Sequence, residues 1–139
     1  MRLLIDTNIL LDVLQERQPY FETSFEIWGL CEFDDSVTGY ISAMSPANIS
    51  YIMRKELTPE RMQEIFMTLV MTFNVTDLCF SDLEKAADMK WRDFEDAVQS
   101  ATASRINADY IITRNAKDFE GNGVRAVTPE EYFAEIFTA

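Results

Sequence analysis

The sequence predicts an α/β sandwich around a mainly parallel sheet. Short apolar segments recur along the chain, and segments with a helical spacing of apolar residues lie between them. The 139 residues are enough to bury one core, and neither a repeat nor a low-complexity segment interrupts them. We therefore expect a single domain over residues 1–139.

The first half of the chain begins with a strand that leads into a helix. Residues 2–5, RLLI, form an apolar run too short for a helix, and the ILLDVL pattern after it predicts a helix with Asp6 or Thr7 as N-cap. Three further elements are predicted: a helix introduced by Pro19 and Thr23 and running through Leu30, a strand over 37–41, and a helix that begins at Ser45-Pro46 and carries Ile49, Ile52 and Met53 on one side.

The second half of the chain continues this alternation. Four elements come first: a helix begun by Thr58-Pro59-Glu60, a strand over 73–78, a helix over 81–89 with Leu83, Ala86 and Ala87 facing inward, and a helix capped by Asp93 with apolar Phe94, Ala97, Val98 and Ala101. Strands over 110–112 and 124–127 and a terminal helix opened by Thr128-Pro129-Glu130-Glu131 complete the chain.

Charge and residue content exclude several classes of function. Twelve basic against twenty-four acidic residues give a net charge of −12, which argues against a general nucleic-acid binder. Histidine is missing, which excludes His-based acid–base chemistry, Ser-His-Asp triads and HExxH metal sites. Cys31 and Cys79 are far apart and predict reduced thiols rather than a disulfide framework or a zinc site. Carboxylates are the main chemistry that remains.

The sequence has no pattern typical of a membrane protein. An apolar run follows Met1 and Arg2, but Asp6 and Asp12 interrupt it, and no small-residue cleavage site follows. No segment reaches roughly 18 uncharged apolar residues. We therefore expect a cytoplasmic protein that makes no membrane contact.

Acidic residues follow two of the predicted strands. Asp6 comes after the first strand, and Asn115 and Asp118 come after the strand over 110–112. In an open parallel sheet the ligand crevice lies beyond the carboxyl ends of the strands. If these two strands are neighbours, their polar residues meet in one cleft.

The helix that begins at Asp93 predicts a second group of acids. Residues three apart lie on nearly the same side of a helix, so Asp93 and Asp96 point together, while Glu95 turns toward Gln99 and Thr102 as a solvated charge. The side of the acids also carries the small residues Ser100, Ala103 and Ser104. Clustered carboxylates stay ionised only beside a cation, and oxygen ligands favour Mg²⁺ or Mn²⁺. The implied reaction is attack of metal-activated water on a phosphodiester.

These segments together resemble the PIN domain, the metal-dependent ribonuclease fold that includes the VapC-like toxins of toxin–antitoxin pairs. The resemblance runs from IDTN at 5–8 through DFEDAVQSATA at 93–103 and TRNAKDF at 113–119 to VTPEEYF at 127–133. It implies a three-layer α/β/α sandwich with a four- or five-stranded sheet, Mg²⁺ or Mn²⁺ as cofactor and single-stranded RNA as substrate. It also implies frequent homodimers and a basic antitoxin that inserts Arg or Lys into the acidic cleft.

The resemblance further implies which residues form the site. Asp6 matches the first acid of the family, Asp96 its helix-borne acid, and Asn115 with Asp118 its fourth segment. Asp93 accompanies Asp96 in the DxxD form. We expect Asp6, Asp96 and Asp118 to be catalytic and all five residues to contact the metal.

Residues beside this cluster are candidates for substrate binding. Arg114 and Lys117 are expected to hold RNA phosphates, with ordinary surface salt bridges as the alternative. A second basic patch near Asn48 could comprise Arg54, Lys55 and Arg61. The family normally supplies a glutamate where this chain has Asn48, and a neutral amide lowers the charge of the site. The chain could therefore also be a catalytically weak or inactive module that binds RNA or protein, with Asn48 among its substrate contacts.

Simpler roles compete for the same acids. Asp6 and Asp93 are natural helix N-caps, and Asn115 and Asp118 could stabilise a turn. A phosphoaspartyl enzyme is a further alternative, because an aspartate also follows the first strand there. The haloacid-dehalogenase pattern, however, has a second aspartate where this chain has Asn8.

Overall fold

The structure is a computed structural model that describes residues 1–119, 121 and 123–138. Its centre is a five-stranded sheet in the order β3-β2-β1-β4-β5, in which every pair of neighbours is parallel. The strands are β1 Arg2–Ile5, β2 Thr38–Ser42, β3 Asn74–Thr76, β4 Tyr110–Ile112 and β5 Ala126–Val127. The predicted parallel sheet is confirmed, although two strands are shorter than the predicted 73–78 and 124–127 segments.

Helices connect the strands, as the alternating pattern predicts. They are α1 Thr7–Leu14, α2 Phe21–Phe33, α3 Met44–Ile52, α4 Pro59–Thr72, α5 Phe80–Met89, α6 Phe94–Arg105 and α7 Pro129–Glu131, with a 3₁₀ turn at Ala116–Asp118 and a π turn at Tyr132–Ile136. In the part of the chain that the structure describes, no helix is long and apolar enough to cross a bilayer.

Alternating residues of β1 supply two separate cores on opposite faces of the sheet. Leu3 and Ile5 pack in a large cluster with residues of α1, α2, α3 and α4. Leu4 points the other way and packs against Ala103 of α6 and Ile111 of β4. The sheet is therefore covered by helices on both faces, which confirms the three-layer sandwich.

Gly39 is required by a close approach between α2 and β2. A Cβ atom at this position would lie 2.7 Å from the Cys31 sulfur and 2.9 Å from the Phe73 ring. Cys31 is buried, and this burial raises the pKa of its thiol to about 12. Both Cys31 and Cys79 are free thiols, as the sequence predicts.

Two details of the predicted helices are wrong. Helix α3 begins at Met44, so Ser45 lies inside it instead of capping it, and its buried hydroxyl lies 2.8 Å from that of Thr7. On α5 Ala86 is buried as predicted, but Ala87 is exposed and Asp82 is buried instead. Arg105 binds both oxygens of Asp82, at 2.9 and 3.0 Å, and so allows a carboxylate to occupy this buried position.

Candidate active site

Asp6 lies at the carboxyl end of the central strand β1. It is 6% exposed, and three groups donate hydrogen bonds to its carboxylate. The Thr7 N–H donates to Oδ1 at 2.8 Å, the Gln99 side chain to the same oxygen at 3.3 Å, and the Thr113 hydroxyl to Oδ2 at 2.8 Å. Asp6 is thereby held by residues of α1, α6 and the loop after β4.

Burial raises the pKa of Asp6 above its ordinary value. The hydrogen bonds from Thr113, Thr7 and Gln99 oppose this increase, whereas the nearby charge of Asp93 adds to it. A buried carboxylate with its charge only partly compensated is a site that favours a cation.

The first turn of α6 brings further acids to Asp6. Asp93 caps this helix by accepting a hydrogen bond from the Asp96 N–H at 3.1 Å, which confirms its predicted capping role. The pKa of Asp96 is raised to about 7, first by burial and then by the charges of Asp6, Asp93, Asp118 and Glu95, in that order. The acids of the three sequence segments therefore lie within electrostatic reach of one another.

A cleft of about 250 Å³ opens between these elements. It is lined by Asp6, Asp93, Asp96 and Asn115 of the predicted site, and also by Asn48 of α3. Asp118 and Lys117 line an adjoining groove, and Asp93 and Glu95 line both depressions. The predicted residues thus gather around one opening at the carboxyl edge of the sheet, with Asp118 at its border.

Gln99 lines this cleft, and so does Glu95, although the helical pattern predicted that both face away from Asp93 and Asp96. Its side chain is 1% exposed, and its Oε1 atom is buried without a hydrogen-bond partner among the described residues. The spacing could have identified it, because Asp93, Asp96 and Gln99 are successive residues of a stripe three apart on α6. Gln99 is the clearest site residue that the sequence reasoning missed.

Arg114 forms an ion pair with a buried carboxylate beside the cleft. Its Nε lies 3.0 Å from the Oδ2 of Asp12, which is fully buried, and its guanidinium carbon lies 4.4 Å from the centre of the Tyr20 ring. The Asp12 carboxylate also accepts a hydrogen bond from Ser24 at 3.1 Å. Burial raises the pKa of Asp12, and the charge of Arg114 opposes that increase. Contact of Arg114 with a substrate stays a prediction.

The other basic candidates differ in whether their charged groups already contact another side chain. Lys117 is exposed in the groove beside Asp118. Arg54 lies over the Tyr51 ring, with its guanidinium carbon 4.2 Å from the ring centre, and Arg61 forms a 2.8 Å ion pair with Glu64. The second basic patch therefore has two of its three cations already engaged.

The chemistry of the cleft fits a divalent cation with oxygen ligands. As placed, no three acid or cysteine side chains in the described ranges form a ready-made metal cluster. The acids nevertheless offer oxygen ligands, and the pKa values of Asp6 and Asp96 are raised. Gln99, which lines the same cleft, has a buried oxygen without a partner among the described residues. Mg²⁺ and Mn²⁺ prefer such ligands.

The chain matches a known protein family. The family profile described as "PIN domain" matches residues 2–117. No curated protein sequence matches the chain. Several solved structures share its fold, and one of them is a toxin–antitoxin complex.

Three of these structures illustrate the likeness. The chain is similar to VapBC2 from Rickettsia felis bound to a promoter DNA fragment, at 17% identity and a TM-score of 0.69, covering 92% of this chain and 98% of that one. It is similar to a toxin–antitoxin complex from Klebsiella pneumoniae at 26% identity and a TM-score of 0.67, covering 91% and 96%. It is also similar to a Mycobacterium tuberculosis toxin that cleaves the sarcin–ricin loop, at 11% identity and a TM-score of 0.63, covering 78% and 86%.

Proposed function

Because the chain belongs to the PIN domain family, we propose that it is a metal-dependent endoribonuclease that cleaves single-stranded RNA as the toxin of a toxin–antitoxin pair. The observation that carries this proposal is the convergence of Asp6, Asp93 and Asp96 on one cleft, where each added charge raises the pKa of Asp96. Acids that destabilise one another in this way are retained where a bound cation relieves them.

The residues of the cleft have distinct roles in this proposal. Asp6 and Asp96 would hold Mg²⁺ or Mn²⁺, with Asp93, Asn115 and Asp118 completing the shell directly or through water. Such an ion supplies an activated water at neutral pH and stabilises the charge that develops on the phosphate. Holding that shell in place falls to neighbouring residues that hydrogen-bond its ligands.

Thr113 and Gln99 position Asp6. Each donates a hydrogen bond to a different oxygen of its carboxylate, so the carboxylate plane is fixed before any ligand arrives. Thr113 also accepts a hydrogen bond from the Asn115 N–H at 3.2 Å, which connects the loop after β4 to the same network. Lys117 offers a charge for a phosphate beside the acids.

Cleavage of a labelled single-stranded RNA with Mn²⁺ or Mg²⁺ tests the proposal. We expect Asp6→Asn and Asp96→Asn to abolish cleavage while circular dichroism shows an intact fold. Asp35→Asn is a matched control, because Asp35 is an exposed acid in the loop before β2, at the opposite end of the strands. Cleavage by both variants at the rate of the unmodified protein would overturn the proposal.

Three observations support an antitoxin as the partner. The similar structures from Rickettsia felis and Klebsiella pneumoniae are toxin–antitoxin assemblies. The net charge of −12 suits a basic partner. The chain also presents an apolar groove of about 300 Å³ between α1, α2 and α4, lined by Val13, Trp28, Phe33 and Met71 among others. We propose that a small basic protein encoded next to this chain occupies the groove and reaches the acidic cleft, and that the chain forms homodimers.

Co-expression tests the partner. We expect production of this chain alone to stop growth and production together with the neighbouring basic protein to restore it. Size-exclusion chromatography with light scattering measures the mass of the complex and whether the chain alone is a dimer. A neighbouring protein that neither binds nor restores growth would contradict the antitoxin proposal.

Asn48 supports a second candidate function, a PIN-like module that binds RNA or protein with little or no catalysis. Asn48 lies in the cleft where the family supplies a glutamate, so the site has one carboxylate fewer than the pattern. This candidate predicts no RNA cleavage at any Mn²⁺ concentration. Robust turnover by the unmodified protein would eliminate it.

A further inference from the structure

We infer that the groove beside the acidic cleft is a subsite for a flanking segment of single-stranded nucleic acid, with phosphates on its cations and a base on Phe94. We call it the basic–aromatic groove and define it by Lys90, Trp91, Arg92, Phe94 and Lys117. The inference rests on the proposed function and extends it by assigning where the strand lies outside the cleft.

The basic–aromatic groove is a large open depression next to the cleft. Its volume is about 1080 Å³, compared with about 250 Å³ for the cleft. Asp93 and Glu95 line both, so the two depressions meet at the first turn of α6. A strand lying in the groove therefore runs directly into the acids.

The charge balance of the groove differs from that of the whole chain. The chain has twice as many acidic as basic residues, whereas the groove has three cations, Lys90, Arg92 and Lys117, against the three acids Asp93, Glu95 and Asp118. Within the described ranges, none of the three cations forms an ion pair with an acid. Once a cation binds the acids, the groove carries net positive charge, which is the requirement for holding a phosphate backbone.

The cations of the groove contrast with most other arginines of the chain. Arg61, Arg105, Arg114 and Arg125 each form an ion pair with an acid. A charge already paired contributes little to binding an added phosphate. Lys90, Arg92 and Lys117 form no such pair in the described chain and are thus available to a ligand.

Aromatic residues alternate with these cations. Trp91 lies between Lys90 and Arg92 in the α5–α6 connection, and its ring packs edge-on against Phe119 at 5.8 Å and 84°. Phe94 follows on the first turn of α6 and is 49% exposed. Trp91 anchors the connection, and Phe94 offers a free ring face to an unstacked base. Cations alternating with exposed aromatic rings are typical of surfaces that bind single strands.

Lys90 is held in a backbone conformation that favours glycine. It ends α5 in the left-handed region, with φ of +56° and ψ of +35°, where a side chain strains the backbone. Glycine would fit this helix end with less strain. A lysine here places a charge at the rim of the groove at some expense of stability, which is the pattern expected of a functional position.

Binding of a fluorescein-labelled oligouridine RNA, measured by anisotropy, tests the subsite. The protein carries Asp96→Asn with Mg²⁺ present, so that binding is read without cleavage. We expect Phe94→Ala to weaken binding roughly tenfold, because stacking of one base is lost. Phe66→Ala is the control, since Phe66 on α4 is similarly exposed at 43%.

The salt dependence of binding tests the cations. We expect Lys90→Gly and Arg92→Ala each to reduce the slope of log affinity against log salt by about 0.7, the share of one phosphate contact on a single strand. Lys90→Gly should lower the affinity for RNA without lowering thermal stability. If Lys90 had only a structural role, its replacement would not change RNA affinity in this way. Arg61→Ala is the control, because Arg61 already pairs with Glu64.

The outcomes separate this inference from the proposed function. If the protein does not bind RNA, the subsite is overturned. It is also overturned if Phe94→Ala and Arg92→Ala leave RNA binding unchanged. Both conclusions hold even if the unmodified protein cleaves RNA with Mn²⁺. If Phe94→Ala loses as much affinity for a blunt RNA duplex as for the single strand, the stacking role of Phe94 is overturned. Unchanged RNA binding with a weakened antitoxin complex overturns the subsite in favour of a protein-docking surface. If the protein does not cleave RNA but its RNA binding still depends on Phe94 and Arg92, only the proposed function is overturned.

Discussion

The buried amide of Gln99 donates a hydrogen bond to the carboxylate of Asp6, 93 residues away in the sequence. The donor comes from the middle of α6 and the acceptor from the end of the central strand. This contact attaches the helix of Asp96 to the strand of Asp6, so both acids depend on one packing arrangement. The Oε1 atom of the same amide is buried without a hydrogen-bond partner among the described residues.

Replacement of Gln99 tests whether it positions the metal ligands. We expect Gln99→Ala to weaken Mn²⁺ binding by about 10- to 100-fold, because Asp6 loses a donor that orients it. Isothermal titration calorimetry measures this directly, without any RNA. Gln63→Ala is the matched control, since Gln63 is exposed on α4. Equal Mn²⁺ affinity of Gln99→Ala and the unmodified protein would contradict the positioning role.

Replacement of Asn48 tests the departure from the family pattern. We expect Asn48→Glu to raise Mn²⁺ affinity by at least about tenfold and to increase RNA cleavage, since an added carboxylate attracts the cation more strongly. Asn48→Gln lengthens the side chain without adding charge and should leave affinity close to that of the unmodified protein. A glutamate that weakens Mn²⁺ binding would show that Asn48 does not face the ion.

The raised pKa of Asp96 predicts how stability depends on pH. Its carboxyl has a pKa of about 7 in the folded chain against an ordinary value of 3.8, so the folded state keeps a proton that the unfolded state has released. Stability without metal should therefore fall as pH rises from about 4 to about 7 and should not fall further above that range. Asp6, whose pKa is also raised, acts in the same direction.

Urea unfolding at pH 5 and pH 8 measures this dependence. With EDTA we expect the protein to be less stable at pH 8, and we expect Mg²⁺ to increase stability more at pH 8 than at pH 5, because only the ionised acids bind it. Asp96→Asn should reduce the difference between the two pH values. A metal-free protein that gains stability between pH 5 and pH 8 would contradict the assignment.

Arg114 and Lys117 should respond differently to replacement. Arg114→Ala leaves the buried Asp12 without its ionic partner, and we expect the free energy of unfolding to fall by about 3 kcal/mol. Lys117→Ala should change it by less than about 0.5 kcal/mol while weakening RNA binding. Urea unfolding and RNA anisotropy on the same two variants separate the roles. A fully stable Arg114→Ala protein would show that the pair with Asp12 contributes little.

Two glycines provide a matched test of the packing between α2 and β2. Gly39→Ala forces a Cβ atom against the Cys31 sulfur, and we expect a loss of about 1–3 kcal/mol in the free energy of unfolding. Gly29 lies inside α2 with no atom within 4 Å of an added Cβ, so Gly29→Ala should stabilise the helix by up to about 1 kcal/mol. Thermal unfolding of both proteins measures the contrast.

Local sequence signals account for much of the fold. The apolar strands β1 and β4 and the caps at Thr58, Asp93 and Thr128 follow from short-range rules and are confirmed. These features depend on residues close together in the sequence, so the local sequence is sufficient to predict them. The acids also converge as the parallel-sheet argument predicts, because carboxyl ends of neighbouring strands share an edge.

Partners distant in the sequence could not be predicted. Asp82 is buried because Arg105 binds its carboxylate. Ser45 points inward because its hydroxyl forms a hydrogen bond with the hydroxyl of Thr7. Arg114 pairs with Asp12, which lies 102 positions earlier in the sequence. Each of these depends on which elements pack together, and helical periodicity alone contains no such information.

The central place of β1 affects when the cleft can form during synthesis. Asp6 leaves the ribosome before its donor Thr113, which follows 107 residues later, and β1 cannot pair with β4 before then. Until that point the nascent chain has an aspartate without its neighbours. The order of translation itself thus delays assembly of the acidic cleft until β4 and Thr113 have been made.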